Sequence, residues 1–249
     1  MSVADKSQKK SGGLLEIVSV IVQALILAVI IRSFLFQPFS IPSGSMRPTL
    51  LEGDYLFVNK WAYGYSRHSF PFSPNLFEGR IWADEPQRGD IAVFKFPPDP
   101  SLDYIKRVIG LPGDRVQMRD GALYINDQPV KREKVGQIDN PDITEMSRPV
   151  DVWRETLPNG VSYDTLDITP NGISDTTREF TVPPGHYFMM GDNRDNSNDS
   201  RMSVGFVPFE NFVGKASVIF FSVSGGASPL EIWRWPSDLR TGRLFTPLH

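Results

Sequence analysis

Cysteine is absent from the 249 residues. That excludes a disulfide framework, a thiolate zinc site and a thiol nucleophile. A chain with no free thiol also suits an oxidising compartment. Histidine is scarce, with only His68, His186 and His249 present. His68 falls in a proline- and aromatic-rich stretch, His186 in a Pro-Pro-Gly turn, and His249 is the last residue. None stands among other chemistry-bearing residues, which argues against a Ser-His-Asp triad. A large charge excess is missing as well. The formal net charge is −3 and the pI near 5.7, so there is no global positive field and no nucleic-acid partner is expected.

What the chain does have is one long apolar run. Leu14–Phe36 reads LLEIVSVIVQALILAVIIRSFLF, with no charge from Ile17 to Ile31. At about 1.5 Å per residue it reaches about 34 Å, enough to cross a hydrocarbon core of about 30 Å. Glu16 and Arg32 lie near its ends, where charged groups reach the interface. A cleavable signal peptide would need a small-x-small site after a shorter run, and Ile31, Arg32 and Phe34 stand there instead. Lys6, Lys9 and Lys10 precede the run, which favours a cytoplasmic N-terminus with the rest of the chain on the other side. No second apolar segment is long enough to span.

Beyond the anchor the pattern is mainly β. Candidate strands are Tyr55–Trp61, Ile91–Phe96, Asp103–Ile109, Arg115–Met118, Leu123–Ile125, Tyr187–Met190 and Lys215–Ser222. They are short, β-branched or aromatic, and bounded by Gly, Pro and Asp. Asp120-Gly121 is a strong hairpin signal. Many short strands with turns between them indicate a sandwich or partly open barrel. The expected division is a tail (1–13), an anchor (14–36) and a core in three parts (37–62, 91–127 and 185–249). A Pro/aromatic excursion (63–90) and a polar insertion with long loops (128–184) interrupt that core.

Three segments are denser in special residues than structure alone requires: Ile41–Leu50 (IPSGSMRPTL), Tyr104–Asp114 (YIKRVIGLPGD) and Gly191–Arg201 (GDNRDNSNDSR). In the first, prolines stiffen the backbone and Gly44 admits close approach. Ser43 and Ser45 then offer a nucleophile with oxyanion donors beside it. With histidine discounted, lysine is the other option, and Lys106 is a candidate that sits either on the sheet's wet face or buried in it. It stands in an otherwise apolar strand, sharing a face with Tyr104 and Val108 while Arg107 points the other way. Lysine ordinarily titrates near about 10.4, so a base at neutral pH needs its ammonium destabilised by about 4 kcal/mol, which only an apolar pocket supplies. In the third segment Asp192, Asp195 and Asp199 alternate with Asn and Ser. A calcium loop would need Gly at its sixth position and Glu at its twelfth, and neither is present. The preferred reading is a hydrogen-bonded loop whose carboxylates pair Arg107, Arg194 or Arg201, leaving Ser197 to orient a lysine amine.

Together these segments resemble bacterial type I signal peptidase, a membrane-bound serine endopeptidase. PSGSM-x-PTL, YIKR-x-xGLPGD and GDNRDNS-x-DSR occur in that family's order directly behind a membrane helix, with GDYLFVNK and GFVP in addition. The resemblance implies Ser45 as nucleophile, Lys106 as general base, and Ser43 with the Ser45 N–H as oxyanion donors. It implies Ser197 orienting Lys106, Asp192 pairing Arg107, and Asp199 pairing Arg201. Phe39, Ile41 and Ile105 would line shallow pockets for small residues, with the peptide extended near Ser40 and Asp103. The implied fold is an antiparallel β catalytic core with a second, inserted β domain. The implied partners are signal-peptide-bearing preproteins and the lipid bilayer of the bacterial inner membrane, with no metal or organic cofactor. The chain differs from some members in having one membrane helix, no cysteine in the second domain, and Arg47 at a variable position. Rival readings are a specialised Ser-Lys peptidase of the conjugation-pilin type and a membrane-tethered β domain that binds peptides without cleaving them. Trp61, Trp82, Trp233 and Trp235 are candidates for a surface resting on the membrane interface.

Overall fold

The computed structural model describes residues 12–75, 77–139, 149–169, 171–224 and 230–248. Lys6, Lys9, Lys10 and His249, invoked above, lie outside them. A single long helix, α1 (Gly12–Phe34), opens the structure. Its stretch Leu15–Phe34 has mean hydropathy 2.4, and only 6% of that stretch is buried against protein. Apolar side chains exposed on every face would be costly in water and are at home in lipid. The helix ends two residues before the expected Phe36. Phe36 already belongs to a strand, because Pro38 lies just beyond and the backbone of Phe36–Ser40 pairs with the next strand.

The strands are β1 (Phe36–Ser40), β2 (Asp54–Asn59), β3 (Ile91–Phe96), β4 (Asp99–Gly110), β5 (Arg115–Arg119), β6 (Ala122–Ile125) and β7 (Gln128–Pro129). They continue as β8 (Lys131–Ile138), β9 (Val150–Thr156), β10 (Ser162–Asp167), β11 (Phe180–Thr181) and β12 (His186–Met190). Last come β13 (Val207–Pro208), β14 (Phe212–Ser222) and β15 (Thr246–Pro247). A second, four-residue helix, α2 (Trp235–Asp238), was not expected from the sequence.

The main sheet runs β1-β2-β14-β3-β4-β12-β13, with β15 against β14, and does not close into a barrel among the described strands. Its named pairings are antiparallel. Both faces of β3 are buried, and the period of two sorts its side chains. Ile91 and Val93 join Ile41, Met46, Leu56, Val58 and Ile219 in one core, while Ala92 and Phe94 join Val108, Tyr187, Met189 and Phe212 in another. This is why IAVFKF reads as a continuous apolar run rather than an alternating one.

The hairpin β5–β6 turns at Asp120-Gly121, both with positive φ (48° and 76°), as a two-residue primed turn requires. It pairs with β7 and β11 in a separate four-stranded sheet, so strand pairing crosses the expected 127/128 boundary. The shared core of Ile109, Val116, Leu123, Ile125 and Phe188 explains this, since it joins the hairpin to β4 and β12. Within the insertion, expected as a β subdomain with long loops, β8–β9–β10 form a three-stranded meander. Alternation was poor there because β8 is exposed along almost its whole length, so no buried face imprinted a pattern.

Candidate active site

The first serine segment folds into a single 3₁₀ turn, Gly44–Met46. Met46 and Leu50 are buried in the core, which anchors the turn from below. The acidic loop holds it from the side. Asn193 N–H donates to the Ser45 carbonyl (3.1 Å), Asn193 Nδ2 donates to the Gly44 carbonyl (3.1 Å), and Thr49 Oγ1 donates to Asp192 Oδ2 (2.5 Å). Gly191 sits so close that a Cβ there would overlap Ser197 Oγ and the Ser45 carbonyl, so only glycine fits.

On β4, Lys106 is 4% exposed and its Nζ lies 2.7 Å from Ser45 Oγ and 2.9 Å from the Ile105 carbonyl. Burial lowers its pKa to about 8, against the opposing pull of Asp199 and Asp192. That opposing pull is weak for a structural reason: each carboxylate is already held by an arginine. Arg107 Nε and Nη2 grip Asp192 at 2.9 and 2.7 Å, with both side chains 1% exposed. Arg201 grips Asp199 at 3.0 and 2.8 Å. The amine therefore faces neutralised pairs rather than free anions. Arg107 also donates to the Gly89 carbonyl (2.8 Å) and stacks 4.2 Å over the Tyr163 ring.

A cleft of about 410 Å³ opens over the pair, lined by residues 42–45 and 103–106 together with Asn196 and Asn198. Ser43 is exposed at its wall, and its hydroxyl makes no capping bond, which leaves it free to donate into the cleft. Asp103 and Ile105 line the same space. Among the described residues, β4 upstream of Arg107 pairs only with β3, because β12 meets it at Arg107, Val108 and Gly110 alone. The edge from Asp103 to Lys106 is thus open to an added strand.

The family model described as signal peptidase, peptidase S26, matches residues 14–221. The chain belongs to this family. Signal peptidase I of Rickettsia typhi (strain ATCC VR-144 / Wilmington) is 46% identical over 222 residues, which cover 86% of this chain and 80% of the relative. Signal peptidase I of Rickettsia akari (strain Hartford) is 44% identical over 241 residues, covering 90% and 89%. A signal peptidase I crystal structure from Enterococcus faecalis V583 is 30% identical, covers 53% of this chain and 97% of its own, and gives a TM-score of 0.31. The signal peptidase match takes in α1 together with the three segments that build the cleft.

Three sequence expectations for this peptidase site need correction. Ser197 Oγ is buried without a hydrogen bond among the described residues, and the second partner of Lys106 is the Ile105 carbonyl. Packing against Gly191 draws Ser197 aside. Ile41 is 4% exposed and belongs to the core beneath the cleft, because its N–H continues the ladder to the Asp54 carbonyl (2.9 Å) and turns the side chain inward. Phe39 is half-buried against that same core, so neither it nor Ile41 lines the cleft, while Ser40 pairs Tyr55 at the end of β1.

No histidine among the described residues lines the cleft, and burial leaves His68 with a pKa near 4. Arg194 pairs Glu155 and Tyr163 of the insertion rather than an Asp of its own loop. Thr49, Gly191 and Asn193 were inside the quoted segments but had no assigned role. Glu155 and Tyr163 gave no local signal at all, since their partners are distant in sequence.

Proposed function

We propose that the chain is a membrane-bound serine endopeptidase that removes signal peptides from exported preproteins after small residues, typically Ala-x-Ala. The observation carrying this reading is the buried Lys106 amine 2.7 Å from Ser45 Oγ. A neutral amine at that distance accepts the hydroxyl proton as Ser45 attacks the scissile carbonyl. Ser43 Oγ and the Ser45 N–H stabilise the oxyanion. Lys106 then protonates the leaving amine and later activates water to hydrolyse the acyl ester. The Ile105 carbonyl holds the amine in place, and the Arg107–Asp192 and Arg201–Asp199 pairs fix the walls. The preprotein adds as an extended strand along Asp103–Lys106, with Ile105 and the end of β1 around Ser40 shaping the small-residue subsites. The N-terminus lies in the cytoplasm, α1 crosses the inner membrane, and the cleft faces the extracytoplasmic side.

The direct test is incubation of the detergent-solubilised chain with a preprotein bearing an Ala-x-Ala site. The expected product begins at the residue after the second Ala by mass spectrometry; an intact preprotein after prolonged incubation would refute the proposal. The pH profile follows from Lys106. Its pKa is lowered, so the ammonium predominates below about 8 and the active amine above it. The kcat/KM is expected to rise with pH through a midpoint near 8, and a midpoint at the ordinary lysine value of about 10.4 would remove Lys106 as the base.

A further inference from the structure

A second pocket, of about 300 Å³, lies at the foot of α1 and outside the peptidase chemistry. Its polar lining is basic. Arg32, in the last turn of α1, is exposed and has no hydrogen bond or ion pair among the described residues. Lys60 forms part of the wall, 1% exposed, and among the described residues its ammonium donates only to the Ser69 carbonyl. Lys95 is held at 2.9 Å by Asp103, the one carboxylate in the lining among the described residues. His68, also in the wall, is uncharged at neutral pH, so three cations face a single anion. A buried ammonium without a counter-ion is costly. Burial and the neighbouring Arg32 together lower the Lys60 pKa to about 8. An anion seated between Arg32 and Lys60 would relieve both.

The position of the pocket selects the kind of anion. With α1 crossing the membrane as proposed above, Arg32, two residues before the end of its apolar stretch Leu15–Phe34, sets the pocket mouth at headgroup depth. Phe72 stands fully exposed on the rim, beside Phe70 and Pro71. Ring contacts tie this rim to the helix end: Phe34 packs on Phe70 at 5.5 Å and on Tyr65 at 5.6 Å, and Tyr65 meets the exposed Trp82 at 6.0 Å. The exposed Trp61 packs on Phe36 at 4.7 Å. Aromatic side chains around a cationic hollow at the end of a membrane helix match a phosphate above and acyl chains below. We propose that this pocket binds the phosphate of an anionic phospholipid, with Arg32 and Lys60 as its charged partners and Lys95 beside them. Asp103 lines both this pocket and the catalytic cleft, so the bound headgroup adjoins the strand edge where substrate adds.

The test uses the full chain in detergent, titrated with phosphatidylglycerol or phosphatidylcholine, with bound lipid counted by native mass spectrometry. Phosphatidylglycerol is expected to be retained preferentially, and Arg32→Gln and Lys60→Met each to lower its retention about fivefold, as loss of one interfacial charge predicts. Circular dichroism checks the fold, and Arg32→Gln alters only an exposed side chain should Lys60→Met fail to fold. Equal retention of the two lipids by the unmodified chain would overturn the proposal, as would undiminished phosphatidylglycerol preference in folded Arg32→Gln. Displacement of the lipid by an equal concentration of inorganic phosphate would also overturn it, by assigning the pocket to soluble anions.

Discussion

Ser45→Ala is expected to lower preprotein cleavage by about four to six orders of magnitude while leaving the fold intact, and Lys106→Ala to do the same. The two groups act as a unit across 2.7 Å, so the double variant should be no worse than either single one. Lys106→Arg should not rescue activity, because a guanidinium stays protonated and cannot accept the serine proton. Lys106→Met separates chemistry from stability. It replaces a buried, desolvated amine with an apolar chain of similar length, so the thermal midpoint should hold or rise while cleavage vanishes. Single-turnover assays with a purified preprotein, alongside melting curves, measure both. Full cleavage by Ser45→Ala and Lys106→Ala would mean the serine and lysine are bystanders and would overturn the Ser-Lys assignment.

The second large effect concerns the brace behind the site. Asp192→Ala removes the carboxylate that grips Arg107 in a place where both side chains are 1% exposed. Breaking one partner of such a buried pair costs about 3–5 kcal/mol, which for a domain of this size lowers the melting temperature by about 10 °C or more. Activity should fall as well, because Asp192 also accepts from Thr49, three residues after Met46 in the nucleophile segment. Combining Arg107→Met with Asp192→Leu should recover much of the lost stability without the activity, since replacing both charges with apolar groups removes the desolvation cost. Thermal unfolding followed by circular dichroism reads the difference. A melting temperature within a degree or two of the parent in Asp192→Ala would show that the pair is not structural.

The strand alternation and the apolar neighbours Ile105 and Val108 leave Lys106 either buried or on a wet strand face, and its role as base comes from the family resemblance. Arg107 pointing away from Lys106 followed from the same alternation. The roles given to Ile41 and Ser197 failed for a common reason. Both residues were assigned by analogy of position, whereas the direction of a side chain near a strand end or in a tight loop is set by what lies across from it. For Ile41 that is the Asp54 ladder, and for Ser197 the Gly191 backbone. The strand β8 carried little periodic signal because it is exposed along almost its whole length and has no buried face to imprint an alternation.

By itself the sequence determined the long apolar helix, the predominance of short strands, the exclusion of thiol chemistry, and the residue types able to do the work. These follow from composition and from periods of two and 3.6, which are properties of neighbours along the chain. Only the tertiary structure decided that Lys106 is dry enough to be a base and close enough to Ser45 to serve as one. It alone decided that Asp192 is bound to Arg107 rather than free, and that Arg32 and Lys60 converge on one hollow. Burial and separation are set by segments 61 and 85 residues apart folding against one another, and no local pattern encodes them.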